Sequence, residues 1–462
     1  MIPIEMPAVE IARRVREGSL SALAVVENHL AQVDARNPTL NAFTDLTRTR
    51  ALSKAREIDT RRAAGGTLGA LAGVPFAVKN LFDVAGLPTR AGSKINRDHP
   101  PAAIDGPLVA RLDAADAVLL GTLNMGEYAY DFTGENAHDG PSCNPHDVAR
   151  MTGGSSGGSG AAVASGMVPL ALGSDTNGSI RVPASFCGLF GLKPTFGRLT
   201  RAGTFPFVAS FDHLGPFARS AADLALAYDI LQGPDPADPA CAQRPVDPAY
   251  PSVAQGITGL RIGALGGYFA RGGDPAVYAA ADKVAKALGA TVGVELPEVH
   301  RARAAAFVIT NVEGAQLHID RLRARAADFD PATRDRLIAG NLLPAAWYAQ
   351  AQRFRSWFKR EAAKVFERFD VLLAPSTPCT APFIGQQTFM LDGKEVPLRP
   401  NIGVYTQPIS FIGLPVVAVP VRGISPLPVG VQVIAAPWRE DLALRVAHEL
   451  ERTGICAAPV AR

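Results

Sequence analysis

Apolar positions recur at helical spacing across residues 8–64, where Val9, Ile11, Ala12 and Val15 share a face and Ser21 opens a second run as a candidate N-cap. The pattern then shortens. Leu71 to Lys79 and Ala117 to Gly121 are brief apolar runs bounded by turn residues, as buried strands are, with a helix around 107–114 between them. Residues 233–255 are rich in Pro and Asp and lack periodicity, which predicts a surface excursion, and 274–367 is Ala- and Arg-rich and mostly helical. Strands return at Val371 to Pro375, Leu414 to Val421 and Leu427 to Ala435, and a helix near 440–451 closes the chain. Helices alternating with short apolar strands predict an α/β fold with a large mixed sheet flanked by helices on both faces. The late strands predict one sheet fed from both ends of the chain.

Length and composition narrow this only partly. At 462 residues the chain has room for about three average domains, but the returning strands favour a single domain over 1–462. Its expected parts are N-terminal helices at 8–64, a core at 70–232, a variable, mostly helical insertion at 233–367, and strands and a helix at 368–462 that complete the core. Lys+Arg 46 against Asp+Glu 43, with no basic block, gives no electrostatic case for nucleic acid or an anionic membrane. Five dispersed cysteines (Cys143, Cys187, Cys241, Cys379, Cys456) form no C-x-x-C pair, which points to a reduced, cytoplasmic setting. Glu5 stands where an export signal needs basic charge. The longest uncharged run, Thr152 to Ser174, is too glycine-rich for a membrane span. No H-E-x-x-H and no paired His/Cys spacing occurs, so neither a metal nor a cofactor is expected.

The most unusual stretch is Gly153 to Gly160, Gly-Gly-Ser-Ser-Gly-Gly-Ser-Gly. Glycine at this density lets backbone approach a ligand closely. A phosphate loop needs a following lysine, and none lies between Lys94 and Lys193. A nucleophile elbow with Ser155 at its tip matches G-x-S-x-G formally, but Asp147 to Thr152 does not read as the required buried strand, and His213 sits in a loop-like stretch. A flexible linker fits poorly between ordered-looking flanks. Ser356 and Lys359 match S-x-x-K, yet they fall on an Arg-rich amphipathic helix, and no K-T-G accompanies them.

The remaining reading joins the glycine loop to Gly173-Ser-Asp175-Thr176-Asn177-Gly178-Ser179-Ile-Arg181 and to Lys79, which ends Gly73-Val-Pro-Phe-Ala-Val-Lys. Together these segments resemble the amidase signature family, with its lysine after G-V-P, its G-G-S-S-G-G-S loop and a serine 24 positions beyond the first loop serine. The likeness continues through Cys187 to Thr195 and Leu427 to Gln432, so it spans most of the chain. The resemblance implies the amidase signature fold and a Ser-Ser-Lys triad. Ser179 corresponds to the acylated nucleophile, Ser155 to the bridging serine after a cis peptide, and Lys79 to the base.

The chemistry supports that mapping independently. A serine hydroxyl needs a base to take its proton, and a lysine serves only when neutral. At the ordinary pKa about one in a thousand is neutral near pH 7.4, so a useful base needs that pKa lowered by about 3, worth some 4 kcal/mol. Burial behind Val74 to Val78 could supply this, whereas an ordinary strand-end lysine would reach solvent. Backbone N–H groups of Thr176, Asn177, Gly178 and Ser179 form the expected oxyanion hole. Asn177 departs from the family's usual glycine and is a specificity candidate. Asp175, Arg181 and Ser156 are expected to support the loops, Arg181 alternatively to hold a substrate carboxylate. Cys187 is expected in the core.

Within the family, the segments 72–97 and 174–185 resemble the 1-carboxybiuret hydrolases of s-triazine (cyanuric acid) breakdown. That resemblance implies a serine amidohydrolase that releases ammonia from a small urea-like amide, converting 1-carboxybiuret to urea-1,3-dicarboxylate. The alternatives are the glutamine-hydrolysing, ammonia-donating component of an amidotransferase and a malonamide or aryl amidase. Tyr128, Arg90, Lys94, Arg97 and Gln407 are the nominated substrate contacts. A homodimer, or a hetero-oligomer with a small helical companion subunit, is the implied assembly.

Overall fold

The computed structural model describes residues 2–461. One sheet of eleven strands organises the chain. From edge to edge its strands are Phe43–Leu46, Val118–Leu123, Pro75–Lys79, Leu170–Asp175, His213–Ala218, Phe190–Lys193, Val416–Val421, Val429–Ala435, Val371–Pro375, Ile262–Leu265 and Thr291–Val294. Parallel pairs flank Pro75–Lys79 on both sides, while the middle of the sheet is antiparallel, so the sheet is mixed. Strands such as Pro75–Lys79, Leu170–Asp175 and Val429–Ala435 are buried at every position. Near-continuous apolar strands of this kind need helices over both faces. Among the helices packed on the sheet are Gly157–Ala164, Ala221–Leu231 and Glu440–Arg452.

The hydrophobic pattern located most elements. Ser21 caps the helix Ala22–Leu40 by accepting from the Ala24 N–H at 3.2 Å. The expected helical run 8–64 differs in one place: Phe43–Leu46 is an edge strand paired antiparallel with Val118–Leu123. Asn41, in a left-handed conformation, stops the helix there, and four residues are too few to show alternation. Residues 233–367 are mostly helical but also supply the strands Ile262–Leu265 and Thr291–Val294 at the far edge of the sheet. His213, read as part of a loop, opens a buried central strand.

Candidate active site

Lys79, Ser155 and Ser179 come from three separate segments that the sheet brings together. Lys79 is the last residue of Pro75–Lys79 and is fully buried. Its Nζ donates to Ser155 Oγ at 2.7 Å and to Ser174 Oγ at 2.9 Å. Ser155 follows a cis Gly154–Ser155 peptide and leads into the helix Gly157–Ala164. Ser179 lies between the strand Leu170–Asp175 and the helix Arg181–Cys187, and lines a narrow cavity. Among the described residues no hydrogen bond joins its hydroxyl to Ser155 or Lys79.

Burial lowers the Lys79 ammonium from 10.5 to about 7, against the opposing pull of Asp212, Asp175 and Asp131. Desolvation wins because no carboxylate contacts the amine; its two close partners are hydroxyls. At neutral pH a large fraction of Lys79 is therefore free base, the form that can take a serine proton.

The loops around the serines are held by polar contacts inside the core. Ser156 Oγ donates to the Ser174 carbonyl at 3.1 Å and accepts from its N–H at 3.3 Å, tying the glycine loop to Leu170–Asp175. Gly154 allows a close approach, since a Cβ there would meet Asp131 Oδ2 at 2.4 Å. Asp131 accepts from the N–H groups of Thr133 and Gly134 and pairs with Arg399. At Gly178, φ is 146° and a Cβ would fall 2.2 Å from Thr406 Oγ1, so no larger residue fits. That threonine donates to the Asn177 carbonyl at 2.7 Å. Among the described residues the N–H groups of Thr176, Asn177, Gly178 and Ser179 engage no acceptor, whereas the next two, Ile180 and Arg181, donate to Asp175.

Arg181 does not face a substrate. All five of its side-chain N–H groups are committed, to both Asp175 oxygens, Thr406 O, Gln432 Oε1 and Ser410 Oγ. Burial works against the Asp175 charge, but Arg181 outweighs it and holds the carboxyl well below its usual range. The pair is structural, buried on both sides. Thr176 Oγ1 donates to Asp212 Oδ1 at 2.7 Å, and burial pushes the Asp212 carboxyl up. Cys187 is buried, as expected of a core residue.

Other expectations are corrected. Arg90 pairs with Asp45 and Asp139, Arg97 with Asp139, and Lys94 with Asp328, so these nominated cations are neutralised away from the cavity. Tyr128 is sealed in the core, its hydroxyl on Asn96 and its ring 4.1 Å from His318; its neighbours Ala129 to Phe132 line the cavity instead. Gln407 does line it. Asn177 also does, with Nδ2 donating to Thr310 Oγ1 at 2.9 Å. Asp147–Met151 is a partly exposed strand of a two-stranded ribbon, and His213 Nδ1 faces two backbone carbonyls rather than a serine, which removes the elbow. Ser356 and Lys359 are exposed.

Sequence reasoning missed Ser174, Asp131 and, above all, Arg336. This arginine, on the helix Pro331–Gly340, lines the cavity with Ser179. Its guanidinium stacks 3.7 Å over the Tyr130 ring and donates to the backbone carbonyls of Ala332 and Tyr130. Among the described residues it pairs with no carboxylate. Arg336 is one arginine among many on the helices of this region, so no local signal marks it.

Comparison with known proteins places this geometry. A family model, Amidase, matches residues 24–444. The 1-carboxybiuret hydrolase subunit AtzE of Pseudomonas sp. (strain ADP) is 55% identical over 452 residues, 97% of this chain and 99% of that protein. A glutamyl-tRNA(Gln) amidotransferase subunit of Chloroflexus aurantiacus is 38% identical, over 94% of each chain. A solved structure of a vestigial protein complex bearing on the evolutionary origins of an s-triazine catabolic enzyme superposes with a TM-score of 0.97 at 55% identity, covering 98% of this chain and 100% of the other. A bacterial aryl acylamidase superposes at 0.89 with 28% identity, over 97% of this chain and 96% of the other.

Proposed function

The chain belongs to the amidase signature family, and from that premise we propose that it hydrolyses the terminal amide of 1-carboxybiuret, with Ser179 as nucleophile, Ser155 as proton relay and Lys79 as base. The observation that carries this reading is the buried, largely neutral lysine 2.7 Å from Ser155, with Ser179 on the wall of the adjoining cavity. Neutral Lys79 draws a proton through Ser155 as the Ser179 hydroxyl attacks the amide carbonyl. The oxyanion is met by the uncommitted N–H groups of the Thr176 to Ser179 turn. Collapse expels ammonia, with the proton returned through Ser155, and water then releases the acyl group by the reverse relay as urea-1,3-dicarboxylate.

A ureido carbonyl is a poor electrophile, because nitrogen donates to it from both sides, so fixed oxyanion donors matter more than usual. Arg336 supports the anionic substrate: a partly buried guanidinium without a carboxylate partner favours one arriving with the ligand. The wider assembly in the same reading is a hetero-oligomer with a small helical companion, since the relatives include one named as a subunit and one solved within a complex. Among the described residues no helix is long and apolar enough to cross a membrane. The test is ammonia release by the purified protein from 1-carboxybiuret generated in situ, biuret, malonamide and glutamine. Preference for 1-carboxybiuret is expected, and turnover of glutamine alone overturns the substrate.

A further inference from the structure

We propose that Gln407 reads the carbonyl lying between the anionic end and the scissile amide of the substrate, and that Arg303 is the positioning residue that aims it. The inference rests on the ureido substrate proposed above and names the feature by which that substrate is told from a simple amide.

A glutamine side chain can present either its oxygen or its NH2 to a cavity, and its shape alone does not decide which. Here a neighbour decides it. Arg303, on the helix Val299–Arg325, places Nε 2.9 Å from one polar end of Gln407. A guanidinium only donates, so that end is the oxygen, and the NH2 is turned the other way. Arg303 is itself fixed, with Nη2 donating to Pro400 O at 3.0 Å and to Asn401 Oδ1 at 2.7 Å.

Gln407 is 2% exposed and lines the cavity together with Ser179 and Arg336. Among the described residues its Nε2 donates to no protein acceptor. That NH2 is reached from the cavity rather than sealed in the core, so its open donor is available to an acceptor that a ligand supplies. With Arg336 on the carboxylate and Ser179 on the terminal carbonyl, the remaining acceptor of 1-carboxybiuret is its middle carbonyl. A chain with a methylene at that point offers nothing to the donor, and a site built around a substrate acceptor discriminates against such an analogue.

The experiment compares kcat/KM for 1-carboxybiuret with that for glutaramate, which keeps a carboxylate and a primary amide at the same separation but has methylenes between them; if glutaramate is not turned over, its inhibition constant serves instead. Gln407→Met is expected to lower the preference for 1-carboxybiuret about ten- to a hundredfold, through KM. Gln407→Glu preserves the shape and the Arg303 contact but replaces the donor with an acceptor, and is expected to lower it further. Arg303→Met, which frees the amide to rotate, is expected to raise KM for 1-carboxybiuret more than it lowers kcat, with partial rescue by Arg303→Lys. If both Gln407 variants lose equally on the two ligands, or keep the wild-type preference, the role of Gln407 is overturned. Failure of the wild-type protein to act on 1-carboxybiuret at all overturns instead the substrate reading, and the named carbonyl with it.

Discussion

The two walls of the cavity are built in different ways. One wall includes Thr176, Asn177 and Ser179, within the stretch 151–195 that is buried at every position. The facing wall is assembled from Phe307 and Thr310 of the helix Val299–Arg325, Arg336 of Pro331–Gly340, and Pro400 and Gln407. On those two helices only some of the positions are buried. In the proposed mechanism the first wall carries the nucleophile Ser179 and the oxyanion donors. The second holds groups that can bind a substrate's ends and middle. The proposed mechanism thus divides chemistry and recognition between the buried core and a helical excursion, so the second can vary without disturbing the first.

The division predicts two kinds of defect. Ser179→Ala should lower kcat by about 10⁴-fold or more on every amide tested, while an unreactive substrate analogue still binds. Lys79→Met should be comparably inactive yet more stable. The folded protein holds this lysine near 7 against 10.5 for the unfolded chain, so between those values the unfolded state binds more protons. Stability therefore rises with pH from 7 to 10.5, and the cost of burying the amine is fully present below about 7. Removing the amine should raise stability on the order of a few kcal/mol at pH 7, read as a higher Tm or a higher denaturation midpoint. A loss of stability would mean that the hydroxyl contacts of Lys79 outweigh its desolvation.

Arg336→Met belongs to the other wall. It should raise KM for a carboxylate-bearing substrate about 10²- to 10³-fold, with a far smaller effect on malonamide, which is uncharged. An equal loss on both would return Arg336 to a packing role and break the division. A milder effect is expected from acid. As pH falls below about 7, protonation of Lys79 should reduce kcat/KM about tenfold per unit in a single step, and Arg336→Met should not move that limb. Least affected should be Lys94→Ala. Its half-exposed pair with Asp328 lies off the cavity, and a change in KM beyond about twofold would show that this lysine reaches the substrate after all.

Legibility in the sequence divides along the same line. Lys79, Ser155 and Ser179 can be named because the segments that carry them resemble the amidase signature motifs, in which glycines let backbone N–H groups approach a carbonyl. Most strands and helices are visible in the apolar pattern. The edge strand Phe43–Leu46 is not, since its partner, Val118–Leu123, lies far along the chain. Arg90, Lys94 and Arg97 are basic and near the motifs in sequence, which makes them natural nominees for a carboxylate, and folding gives each a carboxylate of the protein instead.

What the amino-acid order determined alone is the catalytic vocabulary: which loops carry the serines, that a lysine follows an apolar strand, and that charge is nearly balanced along the chain. Only the tertiary structure decided what that lysine's amine is worth. Its usefulness as a base is a matter of desolvation, and burial is a sum over segments the chain brings from 70 to 435, not a property of any one of them. The same holds for Arg336 and Gln407. In the proposed reading a guanidinium and an amide become recognition groups because a cavity leaves the first without a carboxylate and a neighbouring arginine leaves the NH2 of the second without a protein acceptor, and that is settled by packing rather than by spacing.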